Sequence, residues 1–167
     1  MKPGDLVFLF IMESQTSKTE YRDRPQAASG FVDLGVAPTL IEALTRLGCL
    51  KPTPIQRQAI PVALKGKDVV GIAQTGTGKT FAFGIPMIQR LAQIKGQGLV
   101  MLPTRELATQ VAEVLGQIGK AINLKVVVLI GGVDSRAQAR ALKNMPHIIV
   151  ATPGRLNDHL EQKNLTL

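Results

Sequence analysis

The sequence predicts an α/β domain built on a mostly parallel sheet flanked by helices. Three observations carry that reading. Four short runs are apolar along their length instead of alternating, as strands buried on both faces are. Each run is followed by a segment with helical periodicity, and repeated strand–helix units imply parallel strands joined by right-handed crossovers. The loops after the strands are rich in glycine, proline and threonine, and in such a sheet they gather at the carboxyl edge, where ligands bind.

The elements follow in order. Residues 1–29 are expected to be a disordered leader, of which residues 13–29 are polar, charged and poor in large apolar groups, and order is expected to begin near Gly30-Phe31. Pro38 to Leu47 reads as a short helix with proline in its first turn, with Leu40, Ile41, Leu44 and Leu47 on its apolar face. A second helix is expected from about Pro54 to Leu64. The first strand is assigned to Asp68–Ile72, followed by a helix from about Lys79 to Ala92. The second is Gly98–Leu102, with a helix from about Arg105 to Ala121. The third is Lys125–Ile130, with a helix over about Ser135–Lys143, and the fourth is His147–Ala151, with a helix over about Pro153–Glu161.

The chain has 167 residues, enough for one domain and a tail, and 45% of them are hydrophobic, enough for a core. The single cysteine, Cys49, makes no intramolecular disulfide and belongs to no zinc-like cluster. A reduced, intracellular setting is therefore expected, cytoplasmic, with nuclear or nucleolar as the alternative in a eukaryote. Leu6 to Met12 is apolar but too short to span a membrane. It reads as a loose tail or as translation from an upstream start, with Met12 as a second candidate start. The net charge of +8 falls wholly on residues 31–167, because residues 1–30 hold four basic and four acidic side chains. A basic domain suits a polyanion such as nucleic acid, although a merely basic soluble protein has the same charge.

Directly after the first strand stands Ala73-Gln74-Thr75-Gly76-Thr77-Gly78-Lys79-Thr80. Apart from Ala73 in place of the first glycine, it follows the phosphate-binding pattern G-x-x-x-x-G-K-[ST]. Gly76 and Gly78 let backbone N–H groups converge on an oxyanion, Lys79 supplies charge for the β- and γ-phosphates, and the Thr80 hydroxyl can ligate Mg²⁺. The helix starting at the same place favours negative charge at its amino end. The alternative is a chance glycine-rich turn, which does not account for its place between strand and helix with Lys79 and Thr80 in register.

Gly48-Cys49-Leu50-Lys51-Pro52-Thr53-Pro54-Ile55-Gln56 resembles the Q motif of DEAD-box RNA helicases, with Phe31 seventeen residues before its glycine. Pro103-Thr104-Arg105-Glu106-Leu107-Ala108, Gly131-Gly132 and Thr152-Pro153-Gly154-Arg155 resemble further motifs of that family, in order and at its spacing. The resemblance covers residues 31–167. It implies a RecA-like ATP-binding domain, the first of two, with residues 30–57 as the Q-motif region and 58–167 as an incomplete helicase domain. It implies ATP and Mg²⁺ as cofactors, with Gln56 reading adenine and Phe31 packing on the base. A glutamine amide can donate to and accept from one base edge, the pattern that suits adenine. Gln56 as a solvent-facing helix residue and Phe31 as a core residue are the plain alternatives.

The resemblance further implies sequence-independent RNA binding by Pro103, Thr104, Arg105, Gly131, Gly132, Thr152, Pro153, Gly154 and Arg155, through phosphate and sugar. Turn and helix-start chemistry is the alternative for the glycines and for Thr152–Arg155, and a surface pair for Arg105 and Glu106. His147 is expected at a strand end and His159 on a helix surface, neither binding metal. Cys49 departs from the aromatic the family has there. No Asp-Glu pair occurs in the chain, so the acidic motif, the Ser-Ala-Thr motif and the second RecA-like domain are expected to lie outside it. Glu106 and Asp134 are poor substitutes for that carboxylate pair. The sequence-level expectation is thus a helicase fragment that binds ATP and RNA without hydrolysis. The alternatives are a naturally truncated, non-catalytic module and a phosphate-loop NTPase of another class. Without the partner strands, Asp68–Ile72 is expected to be an exposed edge.

Overall fold

A computed structural model of the chain describes residues 7–8 and 30–166. Three strands of four residues form the sheet: β2 (Gly98–Met101), β3 (Val126–Leu129) and β4 (Ile148–Ala151), with the two-residue β1 (Val7–Phe8) at one edge. All pairings are parallel, in the order β1-β2-β4-β3. Among the described residues six α-helices accompany them: α1 (Pro38–Arg46), α2 (Pro54–Leu64), α3 (Lys79–Leu91), α4 (Arg105–Gly119), α5 (Ser135–Lys143) and α6 (Pro153–Glu161). Short 3-10 turns cover Val32–Leu34 and Lys120–Ile122. The helix boundaries agree with the sequence reading to within two residues, with α4 ending in the 3-10 turn.

β4 lies in the middle of the sheet, and all four of its residues are buried. One core cluster joins Ile148 and Val150 to α1, α2, α3 and α4; Ile149 and Ala151 face the other way, onto Leu142 of α5 and Leu156 of α6. Alternate residues of one strand thus serve two layers of helices, which explains the unbroken apolar run. β3, at the sheet edge, is only half-buried at Val126, Val127 and Val128. Burial on both faces therefore holds for β4 but not for β3.

Asp68–Ile72 departs from expectation: it forms no strand. Val70 is 87% exposed and Ile72 84%. An extended segment becomes a strand only when its N–H and C=O groups meet a neighbouring ladder, and no described strand lies beside this one. At the opposite end of the chain order, Val7 pairs with Leu99 and Phe8 with Val100, although residues 1–29 read as a leader. The rest of that leader lies outside the described residues. Among the described residues no helix is long and apolar enough to cross a membrane.

These burials predict opposite costs for two chemically identical substitutions. Ile149→Ala should destabilise the chain by about 3 kcal/mol in urea titrations, because it opens a cavity in the β4 layer. Ile72→Ala should cost less than about 0.5 kcal/mol, the range of exposed sites. A large loss for Ile72→Ala would show that Asp68–Ile72 is packed in solution.

Candidate nucleotide and nucleic-acid site

The phosphate loop ends where α3 begins, and Gly78 is the residue before the helix, with φ +86°. That left-handed conformation disfavours any residue with a Cβ. Sterics demand glycine independently: a Cβ at Gly78 would collide with the Gln56 side-chain nitrogen and lie 3.3 Å from Thr53 Oγ1. Gly76 is also left-handed, at φ +79°. Thr77 Oγ1 donates to the Gln74 carbonyl at 2.7 Å, closing the turn. The Lys79 ammonium donates to the Ala73 carbonyl and is buried, so the lysine spans the loop from its last turn to its first residue. Thr80 is half-buried beside it.

Gln56 lies on α2, 4% exposed. Its Oε1 accepts from the Thr53 backbone N–H at 3.0 Å, and its Nε2 donates to the Gly78 carbonyl at 3.1 Å. It is therefore not a solvent-facing helix residue: it ties the amino end of α2 to the phosphate loop. One amide N–H and one oxygen lone pair remain for another partner. Phe31 is 3% exposed in the main core with Leu34, Val36 and Leu40; in this arrangement its ring offers no open face to a base. Cys49, half-buried against the same core, has its thiol pushed up by burial. Between the loop and α4 opens a cavity of about 390 Å³, with Thr75, Lys79 and Thr80 on one wall and Met101, Leu107 and Val111 on the other.

The three further motifs sit at the carboxyl ends of β2, β3 and β4. Met101 pairs with Ala151, and Ala151 with Leu129, so the three strands end level. Thr104 caps α4, its hydroxyl accepting from the Leu107 N–H at 3.3 Å, which leaves the O–H free to donate. Arg105 is exposed, and its guanidinium lies across the glycine pair: a Cβ on Gly131 would sit 2.9 Å from Nη2, and one on Gly132 2.5 Å from Nη1. Arg105 is therefore a neighbour of the glycine turn, with no ion pair to Glu106 among those the structure holds. Pro153 opens α6 after Thr152, whose hydroxyl reaches the Leu129 carbonyl at 3.5 Å; Pro153 and Gly154 are exposed. Arg155, its side chain 14% exposed, donates to the Val133 carbonyl at 3.2 Å and pairs with Asp158 at 3.4 Å. Asp134 caps α5, accepting from the Arg136 N–H, and pairs with Arg140 at 3.8 Å. It is occupied in holding the helix.

His159 corrects the sequence reading. It is fully buried, because the Pro153–Glu161 helix turns that face onto α5, where Gln138 meets it. His147 does stand at a strand end, its Nδ1 accepting from the Lys125 N–H at 3.0 Å. Burial holds His159 below the ordinary 6.5, Arg155 pushes the same way, and Asp158 opposes them.

A chain with a phosphate loop at the amino end of a helix, and with three loops of a parallel sheet ending level, is by class a nucleotide-binding α/β domain. Comparison with known proteins narrows that class. The DEAD/DEAH box helicase model matches residues 53–167, and the chain belongs to that family. It is 50% identical over 151 residues to an ATP-dependent rRNA helicase, rrp3, of Emericella nidulans, covering 89% of this chain and 32% of that protein. The RRP3 helicase of Debaryomyces hansenii is 53% identical over 133 residues, covering 78% of this chain and 28% of that protein. Among solved structures, the Prp28 RNA helicase of Chaetomium thermophilum bound to ADP superposes with a TM-score of 0.76 at 39% identity, covering 83% of this chain and 35% of that one. A DEAD box protein of Methanococcus jannaschii gives 0.77 at 37%, covering 83% and 38%. The RecA-like helicase fold is thereby shown. The chain spans about a third of the length of the curated relatives it matches.

Two outcomes test this geometry. Gly78→Ala should cost on the order of 1–3 kcal/mol of stability, since it combines a left-handed φ with a collision against Gln56; thermal melts would register it. The lowered pKa of His159 means that the unfolded chain takes up a proton below pH 6.5 that the folded chain refuses. Stability is therefore lost as pH falls through and below that value. The drop in melting temperature between about pH 7.5 and about pH 5.5 should be smaller in His159→Gln than in the parent chain. An equal drop in both would remove His159 from the pH response.

Proposed function

We propose that this chain is the ATP-binding and part of the RNA-binding half of a helicase core, and that the whole protein uses ATP to unwind or remodel RNA inside the cell. The observation that carries the proposal is the arrangement of the phosphate loop, tied to α2 through Gln56, on the same domain as three level loops bearing Arg105, Gly131-Gly132 and Thr152–Arg155. The names of the relatives, which are ATP-dependent RNA helicases, support it.

In this reading Ala73–Thr80 wraps the triphosphate. Lys79, already spanning the loop, transfers its ammonium from the Ala73 carbonyl to the β- and γ-phosphates. The Thr80 hydroxyl, on the cavity wall beside Lys79, is a hard oxygen donor that fits Mg²⁺. When bound, that ion supplies neutralisation of the phosphate charge. Gln56 keeps the hydrogen-bonding capacity to meet adenine while its other N–H holds Gly78. Binding of the base is then coupled to the shape of the loop. RNA phosphates meet Arg105, the glycine turn and the amino end of α6, a location that favours anions. Hydrolysis needs carboxylates to hold the metal and place water. Residues 1–167 contain no Asp-Glu pair, so by themselves they are proposed to bind ATP without turning it over.

Purified residues 1–167 should show no RNA-stimulated ATPase. Turnover that survives purification and vanishes in Lys79→Ala would overturn this. Gln56→Ala should weaken ATP more than GTP; equal losses would leave Gln56 as a strut for Gly78 alone, a second reading that its two internal hydrogen bonds favour. Arg105→Ala should weaken RNA without altering base preference and lower the salt slope of binding by about 0.7. A base preference relaxed by this substitution would exclude phosphate contact.

A further inference from the structure

Among the described residues, four polar or charged side chains are buried: Gln56, Lys79, Gln138 and His159. The first two brace the phosphate loop, Gln56 from α2 and Lys79 from α3. The other two are remote from it in sequence and have no part in the roles assigned above. Burying a polar group is costly unless its hydrogen bonds are made, and here they form a single directed chain. Asn164 Nδ2 lies 3.2 Å from His159 Nδ1. An amide nitrogen only donates, so Nδ1 accepts and the ring proton resides on Nε2. Nε2 then donates to Gln138 Oε1 at 3.2 Å, and Gln138 Nε2 donates to the Ile130 carbonyl at 2.9 Å. The Asn164 amide is oriented by a second bond, to Gln162 Oε1 at 3.1 Å.

The end of this chain gives it meaning. Ile130 is the residue before Gly131-Gly132, and Val133, the residue after, has its carbonyl held by Arg155. Both holds originate on α6, one directly from Arg155 and one from His159 through Gln138 of α5. Gly132 is left-handed, at φ +77°. The glycine turn is thus held on one side by Arg155 of α6, the helix whose amino end carries Thr152–Arg155, and on the other by Gln138 of α5, which His159 of α6 backs.

We propose that His159 and Gln138 are positioning residues that fix the Gly131-Gly132 turn relative to the amino end of α6, so that the two loops meet neighbouring phosphates of one RNA strand in a set register. The proposal rests on the RNA-binding reading above. The neutral Nε2–H tautomer is part of it: a ring protonated on both nitrogens would set a donor against the Asn164 amide and break the chain's direction.

The test uses the 167-residue chain and a fluorescein-labelled oligouridine. Gln138→Leu and His159→Phe should each weaken oligouridine binding by about tenfold, the size of one buried hydrogen bond, while ATP affinity changes by less than about twofold. Because the residues act in series, the double variant should lose about as much as either single one, not the product. Amide exchange at Gly131 and Gly132 should rise in all three variants. Gln138→Glu, which keeps an acceptor for His159 but loses the donor to Ile130, should match Gln138→Leu. Multiplicative losses, or exchange at the glycine turn unchanged in Gln138→Leu, would overturn the relay. Nitrogen-15 spectra of the unsubstituted chain need no variant to fold: an Nδ1–H tautomer or an imidazolium at neutral pH would overturn it too. Failure of the unsubstituted chain to bind oligouridine would instead overturn the RNA reading and with it the role in register. The exchange data would still decide whether the relay holds the turn.

Discussion

The parallel register of β2, β4 and β3 is the constraint on which the rest of the molecule depends. Met101, Ala151 and Leu129 lie side by side, so the chain leaves the sheet three times along one line. Each exit leads within a few residues to a helix: α4 at Arg105, α5 at Ser135 and α6 at Pro153. The backbone hydrogen bonds of the ladder therefore place side chains that are distant in sequence next to one another. Arg105 lies on Gly131-Gly132 because β2 and β3 both flank β4 at matching heights. A slip of one residue in β4 would exchange the side chains presented to the two helix layers, where Ile148 and Val150 pack in one cluster and Ile149 and Ala151 in the other.

The phosphate loop is organised on a different principle. Beside it no described strand pairs with Asp68–Ile72, and the loop takes its shape from helices. α2 and α3 pack together, Gln56 reaches the Gly78 carbonyl, and Lys79 closes back on Ala73. Gln56 of α2 and the loop before α3 are thus mechanically joined before any ligand is considered. The Gly131-Gly132 turn is likewise held from helices, through Arg155 of α6 and through Gln138 of α5. In both places a buried amide donates to a loop carbonyl, at 3.1 and 2.9 Å, and both loops carry a left-handed glycine. A glycine supplies the conformation and a glutamine removes the freedom that comes with it.

Much of this was legible in the sequence because it is local. Helix starts are written in Pro38, Pro54, Thr104 and Pro153, and strand positions in apolar runs. The phosphate loop shows itself through glycine spacing and Lys79-Thr80. Asp68–Ile72 was misread for a physical reason: its composition suits a strand, but a strand is a property of a pair, and pairing is not encoded in the segment itself. His159 was misread for a related reason. On its own helix it is a polar residue among polar neighbours, with Asn157 and Asp158 before it and Glu161 after. Gln138 of α5 and Asn164 beyond its own helix meet it from either side of the ring.

The sequence by itself determined which chemical groups are present, the order of the six helices among the described residues and of the three strands that follow α3, and the glycine spacing around Lys79-Thr80. Those features rest on covalent spacing and short-range preference. The tertiary structure decided which groups meet: Gln56 with Gly78, Arg105 with the glycine pair, Arg155 with Val133, and His159 with Gln138. Each of those contacts except the last joins a side chain to backbone or to a glycine, residues whose own identity gives no sign of the partner. Twenty or more positions separate the members of each pair. Their meeting depends on the sheet register and the crossing of helices, which are set by burial of the whole core and not by any one segment.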